Sequence, residues 1–327
     1  MTKFRDALAR NRFVVFGRAG MDMFADPPRV KSEHAEVFRS GLGGSSANIA
    51  AGLCKFGGHA ALVTSVSDDA VGRFCLNQLQ GYGVDTAHVR SVGGEVRTSL
   101  AVYESVIEDF QNVIYRNNAA DFQVTSEDIA KVDYAAYGAL VATGTVFAAE
   151  PSRSAHFEAF ERARAAGLPV IFDIDYRPYS WPSAEEAADV LSRAGEMSDA
   201  IIGNDEEFQF MAGDPSRGLE KARSLAAAGA ALVIYKMGEK GAVTMAEGHE
   251  VRTGIYPVTA LKPNGAGDSF MAGLLSGLAA GQPLREAVLR GSACAAIVVA
   301  RPGCAPAMPD EADLAQFLKA HAGPTAA

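Results

Sequence analysis

The sequence predicts an α/β protein in three layers, a mostly parallel central sheet between two layers of helices, with a small β-sheet lid. Three observations predict it. Short, almost uninterrupted apolar runs alternate with helical patterns along most of the chain, as expected of strands buried on both faces and joined by crossover helices. Two regions, about 22–40 and 95–117, break that rhythm by alternating apolar and polar residues, which suits strands with one solvated face. Neither an internal repeat nor a flexible linker divides the 327 residues, so residues 1–327 read as one domain. Its 33 glycines and 14 prolines punctuate it into many short elements.

RFVVFG (12–17) is the first buried strand, its aromatic and β-branched residues favouring extended chain. The first lid segment follows it. Glycines and then serines in GLGGSSAN (41–48) precede an apolar stretch, predicting a helix over about 46–56 with hydroxyls ready to cap it. HAALVTSV (59–66) is the next strand, and a helix spans about 69–79. In the second lid segment, SLAVYES and QNVIYRN alternate around the turn-rich IEDFQN, so both lid segments are expected to be antiparallel hairpins. GALVATGT (138–145), a helix after Pro151, PVIFDID (169–175), DAIIGN (199–204) and ALVIYKM (231–237) continue the alternation. The last third is helical: GAGDSFMAGLLSGLAAG from Gly265, PLREAVLRGSACAAIVVA from Pro283, and about 310–320. Small residues allow the first two to pack closely on a sheet.

Charge narrows the function. Lys and Arg total 30 against 39 Asp and Glu, a net charge of −9, which leaves no global basic surface for a nucleic-acid partner. An anionic substrate would have to be held by locally placed arginines. The four cysteines form no CxxC pair and the six histidines show no ligand spacing, which argues against zinc and disulfides and for a reducing cytoplasm. Arg10 and Arg12 interrupt the N-terminal region before an apolar run develops, unlike a secretory signal. No run approaches the ~18 apolar residues of a membrane span.

The strongest chemical signal is Asn264-Gly265-Ala266-Gly267-Asp268, where irregular chain enters an apolar helix. The amides of Gly265, Ala266 and Gly267 could cradle a transferring phosphoryl group at the helix N-terminus. Asp268, in the first turn, could accept the proton of an attacking hydroxyl; a helix-capping role is the alternative. The second glycine-to-helix junction, Gly43-Gly44-Ser45-Ser46-Ala47-Asn48, offers an amide for sugar hydroxyls, or simply a turn and a cap. Neither junction matches the G-x-x-x-x-G-K-[ST] loop, and Gly17-Arg18-Ala19-Gly20 lacks the third glycine of a dinucleotide fingerprint.

GGSSAN followed by a helix and Gly57, together with GAGD near the C-terminus, resembles the ribokinase-like (PfkB) family of sugar kinases over nearly the whole chain. Further segments resemble its branch acting on 5-dehydro-2-deoxygluconate in inositol catabolism: GRAGMDM (17–23), YRNNAAD (115–121), TGTVFAAEPSR (143–153), FDIDYRPYSWPS (172–183) and GSACAAIVVARPG (291–303). The resemblance implies a ribokinase-like fold, Mg²⁺ and ATP-dependent phosphorylation of a primary hydroxyl, with 2-keto-3-deoxygluconate or another sugar as alternative acceptor. A sugar-binding protein without turnover is the alternative of another class, and an intact GAGD argues against it. Asp22, Gly43, Gly44 and Asn48 fall where the family holds sugar hydroxyls. Arg116 and Arg177 fall where relatives hold a substrate carboxylate, solvated surface arginine being the alternative. Asn204 and Glu207 match an N-x-x-E element, Glu207 holding hydrated Mg²⁺ or merely supplying an acidic first turn. Lys236, Gly238 and Gly241 match the K-x-G-x-x-G turn beside the nucleotide, or a plain hairpin turn.

Two positions depart from the family pattern. Lys262-Pro263 replaces the Asp-Thr that helps many relatives bind a monovalent cation, so Lys262 is expected to stand in for that cation and remove the need for it. Serines at 65 and 67 replace glycines of many sugar kinases. Trp181 is expected to pack rather than stack on a ligand. The lid offers exposed strands for a homodimer, while charges such as Glu104 and Arg116 could keep two lids apart.

Overall fold

The computed structural model describes residues 1–105, 109 and 111–326. Its strands are β1 (Arg12–Phe16), β2 (Gly20–Asp26), β3 (Val37–Gly43), β4 (His59–Ser67), β5 (Val89–Val92), β6 (Ser99–Tyr103), β7 (Asn112–Tyr115), β8 (Ala139–Thr143), β9 (Val170–Asp173), β10 (Ala200–Asn204), β11 (Leu232–Lys236), β12 (Ala242–Ala246) and β13 (His249–Thr253). Its helices are α1 (Thr2–Leu8), α2 (Ser45–Lys55), α3 (Ala70–Gly81), α4 (Ser126–Ala130), α5 (Ser152–Ala165), α6 (Ala184–Glu196), α7 (Asp205–Ala212), α8 (Gly218–Ala227), α9 (Ala266–Ala279), α10 (Leu284–Val299) and α11 (Glu311–Ala320).

Nine strands form the main sheet in the order β13-β12-β11-β10-β9-β8-β1-β4-β5. Every neighbouring pair from β11 to β5 is parallel, and β12 and β13 add an antiparallel edge. Successive side chains of a strand enter opposite layers. Val14, Phe16, Leu140, Phe172 and Ile201 pack with Phe160, Leu191, Phe208 and Leu225 of α5–α8. Phe13, Val15, Val141, Ile171 and Ile234 pack with Leu8, Ile49, Leu79 and Leu274 of α1, α2, α3 and α9. Burial on both faces is why these strands read as unbroken apolar runs. Among the described residues, no helix is long and apolar enough to cross a membrane.

The lid is a four-stranded sheet in the order β3-β2-β6-β7. Its hairpins β2–β3 and β6–β7 are antiparallel, but β2 and β6 pair in parallel, so the lid is a mixed sheet. Each of those two strands is the outgoing arm of its hairpin, and placing the outgoing arms side by side makes them run the same way. Half of the IEDFQN turn (107–112), residues 107, 108 and 110, lies outside the described residues. The charges expected to hold lids apart are inside: Glu104 is 2% exposed and accepts hydrogen bonds from the N–H groups of Ser32 and Gln111, and Arg116 is buried. Exposed lid side chains include Val37, Val113 and Tyr115.

Candidate active site

The carboxyl ends of β9, β10 and β11 carry a dense set of charges, in the position where open parallel sheets place ligand sites. The two glycine-to-helix junctions meet beside them. Gly52 of α2 packs so tightly on α9 that a Cβ there would lie 2.6 Å from the Ala272 Cβ. This close approach lets Asn48 Nδ2 donate to Asp268 Oδ2 at 2.7 Å, joining GGSSAN to GAGD across the fold. Gly265, with φ of +81°, takes the left-handed conformation at the start of α9, and no side chain caps the helix. Its first-turn N–H groups therefore remain available to an anion. Burial pushes the Asp268 carboxyl up to about 6, with Asp175 adding to the shift and the Asn48 hydrogen bond, Arg177 and Lys236 opposing it.

Asp22 projects from β2 and is 1% exposed. A Cβ on Gly43 would fall 1.9 Å from Asp22 Oδ1 and one on Gly44 2.3 Å from the Arg18 carbonyl, so this pair of residues has to be glycine. Gly44 also has φ of +94°, which L side chains rarely adopt. Burial pushes the Asp22 carboxyl up to about 6, against the pull of Arg18, a hydrogen bond with the Cys304 thiol, and Lys262. Asp22 Oδ1, Asn48 Oδ1 and Asn264 Oδ1 are sealed from solvent without a donor. Buried acceptors are ordinarily satisfied, so these three orphans, on or beside the two glycine-to-helix junctions, are acceptors that a ligand rich in hydroxyl groups would complete.

The arginines expected to hold a substrate acid already have protein partners. Arg116 is neither on the surface nor free: Nη2 pairs with Asp121 and donates to the Thr145 carbonyl, and the guanidinium lies 4.2 Å from the Phe122 ring. Arg177 stands at the rim, with Nη2 2.7 Å from Asp175 Oδ1 and Nη1 donating to the Tyr176 carbonyl. Asp173, Asp175 and Arg18 are site residues that the sequence reading did not single out. Burial pushes the Asp173 carboxyl up to about 8, and the nearby Glu207 and Asp175 carboxylates add to it. Asp175 has the opposite balance: Arg177 and the Ser45 hydroxyl hold its carboxyl below the usual value despite burial. The acidic pair closing the apolar strand PVIFDID was the available signal.

Asn204 and Lys236 are register partners at the ends of β10 and β11. Lys236 Nζ reaches to 3.5 Å from where a Cβ of Gly267 would stand, uniting two motifs far apart in sequence. Asn204 and Glu207 form a capping box: Asn204 Oδ1 accepts from the Glu207 N–H, and Glu207 Oε2 accepts from the Asn204 N–H at 2.7 Å. Glu207 thus has the structural role of an acidic first turn, and burial pushes its carboxyl up. Gly241, with φ of +81°, approaches the Thr253 carbonyl too closely for any side chain, while Gly238 faces open space. Lys262 is 3% exposed and its ammonium donates to the carbonyls of Asn264, at 2.6 Å, and Val298. His156 is fully buried, with burial pushing it down to about 4, and Trp181 packs beside Arg153.

Residues 10–311 match the pfkB family carbohydrate kinase model. The chain belongs to this family. It is similar to the 5-dehydro-2-deoxygluconokinase of Geobacillus kaustophilus, 36% identical over 320 residues that cover 96% of each chain. It is likewise 36% identical to the 5-dehydro-2-deoxygluconokinase of Photobacterium profundum, with 94% of each chain covered. Among solved structures it resembles a fructokinase double mutant from Vibrio cholerae O395 bound to fructose, ADP and a potassium ion. There the TM-score is 0.81 and the identity 26%, over 94% of this chain and 98% of that one. The three-layer body with its lid is therefore the ribokinase-like fold.

Proposed function

We propose that this carbohydrate kinase transfers the γ-phosphoryl group of ATP to the primary hydroxyl of 5-dehydro-2-deoxygluconate, giving the 6-phosphate. The observation that carries the chemistry is the Asp268 carboxylate held by Asn48 at the uncapped start of α9. The names of the curated relatives support the acceptor. Asp22, Asn48 and the N–H groups of Gly43 and Gly44 receive the sugar hydroxyls. As the primary oxygen bonds to phosphorus and the bond to the β-phosphate oxygen breaks, Asp268 takes the hydroxyl proton. The amides of Gly265, Ala266 and Gly267, with Lys236, stabilise the charge on the transferring group. Arg177 and Arg116 line the acid end of the cleft. Gly238 and Gly241 turn the chain beside the nucleotide.

Mg²⁺ bound with ATP neutralises charge on the phosphates. Glu207 fits a water-mediated role toward it, since its carboxylate is buried but shared with the cap, and Mg²⁺ commonly keeps several waters. Among the described residues there is no cluster of three or more His, Cys, Asp or Glu that could hold a metal directly.

The base works when deprotonated, and burial pushes its carboxyl up to about 6 from an ordinary 3.8. The kcat/KM for the sugar, which reports groups of the free enzyme, is expected to fall as pH drops below about 6, a limb far above that of an ordinary aspartate; a kcat/KM profile flat down to pH 4.5 would contradict the assignment.

Lys262 supplies the positive charge that a monovalent cation supplies elsewhere, its ammonium already holding two backbone carbonyls. Exchanging K⁺ for tetramethylammonium should leave kcat unchanged within about twofold. Lys262→Met should lower it by roughly tenfold or more, since a desolvated charge-assisted contact is lost. Strong K⁺ activation of the unmodified enzyme would overturn this role. Lid-to-lid packing through Val37, Val113 and Tyr115 would pair two copies, and the four unpaired cysteines suit the cytoplasm. The acceptor is tested by ADP release with Mg-ATP and 5-dehydro-2-deoxygluconate, 2-keto-3-deoxygluconate, ribose, fructose or adenosine; preference for a neutral member would discard it.

A further inference from the structure

The geometry points to Arg18 as the group that receives the substrate carboxylate and sets the preference for a sugar acid over a neutral sugar, an inference that rests on the acceptor proposed above. Three arginines gather between lid and sheet, and two of them already have carboxylate partners: Arg116 has Asp121 and Arg177 has Asp175. Arg18, in the turn from β1 to β2, is 7% exposed. Among the described residues its guanidinium makes one hydrogen bond, Nη1 donating to Ser99 Oγ at 2.8 Å, and no ion pair. Its other two nitrogens bond none of the described residues. A guanidinium carries five N–H donors in a planar fork that matches a carboxylate. Among the described residues most of that fork is unspent.

The surroundings explain how the charge is tolerated without a dedicated counter-ion. Asp22, Asp121, Tyr103 and Tyr179 face Arg18 and favour its cation against the penalty of burial. Asp121 is committed to Arg116, and among the described residues Asp22, although it faces Arg18, forms no ion pair with it. An unpaired buried charge is strongly destabilising, and the arrangement is reasonable when the counter-ion arrives with the ligand. Gly20 leaves room for the guanidinium to lie along β2, because a Cβ there would stand 2.9 Å from Arg18 Nη1. The Arg18 carbonyl accepts from the Ala47 N–H in the first turn of α2, and Asn48 in the same turn bonds Asp268. One helix end therefore fixes both the carboxylate receiver and the proton acceptor. That suits a substrate with its acid at one end and its primary hydroxyl at the other.

The test compares 5-dehydro-2-deoxygluconate with its uncharged amide on the intact enzyme. Arg18→Gln should raise KM for the acid by roughly 10- to 100-fold, the loss of one or two charge-assisted hydrogen bonds. KM for ATP and for the amide should stay within about threefold, so the preference for acid over amide collapses. Ser99→Ala, which only frees the guanidinium, should raise the acid KM by roughly two- to fivefold. If Arg18→Gln does not fold, Arg18→Lys reads the same ratio, because an ammonium keeps the charge and loses the fork; its acid KM should rise about tenfold with the amide KM unmoved. Equal effects on acid and amide, or a retained wild-type preference, would overturn the role of Arg18. An unmodified enzyme that does not distinguish acid from amide would instead overturn the sugar-acid reading on which the inference rests.

Discussion

Asp268→Asn is expected to lower kcat by roughly 10²- to 10⁴-fold, the range that a positioned general base contributes, with KM for ATP nearly unchanged. The substitution keeps the shape and an acceptor for the Asn48 amide, so only the ability to take a proton is removed. The same change should alter stability in a direction that a purely structural aspartate would not show. Burial pushes the folded-state carboxyl up to about 6, above its ordinary value of 3.8. Its contribution to stability is thus complete below about 3.8 and is lost as pH rises through 6. An uncharged amide escapes that loss. Relative to the unmodified protein, Asp268→Asn should therefore be more heat-stable at pH 8 than at pH 4.5, and thermal unfolding at the two pH values with steady-state kinetics reads both effects. Turnover retained within tenfold would remove Asp268 from the reaction.

Gly44→Ala is expected to damage stability and sugar binding together. The backbone there is left-handed, at φ of +94°, and the new methyl would meet the Arg18 carbonyl at 2.3 Å. That contact is with main chain, so no rotamer change relieves it. Left-handed strain of about 1–2 kcal/mol and overpacking of about 1–3 kcal/mol give a loss of about 2–5 kcal/mol. The displaced turn separates Arg18 and Gly43 from Asp22, so KM for the sugar should rise by roughly tenfold or more while KM for ATP changes little. Gly57 is the control. It too has positive φ, +76°, but nothing lies within 4 Å of its Cβ direction, so Gly57→Ala should cost only about 1 kcal/mol and leave both KM values alone. Comparable KM changes in the two variants would show that general destabilisation, rather than local geometry, is being read.

The parallel sheet was legible because its strands are buried on both faces, so RFVVFG, ALVIYKM and the others stand out without reference to partners. Helices with a capping signal were equally visible: Asp69 caps α3 and Asp310 caps α11. The amphipathic helices α6 and α8 went unassigned although Ser183 caps the former, because alanine and charge are spread through loops and helices alike there. Pairing was not legible where it joins distant segments. The β2–β6 contact couples strands separated by β3, β4 and β5, and nothing in either strand's alternation fixes its direction.

The site divides in the same way. Glycine junctions announce themselves locally, so GGSSAN and GAGD were visible, although their joining through Asn48 and Asp268 was not. Arginine carries no such local mark. Arg116 stood out only through the resemblance of YRNNAAD, and its pairing with Asp121, five residues on, was not legible. Arg18 reads as part of a turn, and only its burial beside a single hydroxyl sets it apart.

The most direct test of the account is the proton-coupled ³¹P spectrum of the product formed from Mg-ATP and 5-dehydro-2-deoxygluconate. A phosphate ester on the primary carbon has two neighbouring hydrogens, so a new triplet growing in step with ADP is the predicted result. A doublet, placing the phosphate on a secondary hydroxyl, a singlet from an acyl phosphate, or inorganic phosphate alone would contradict it.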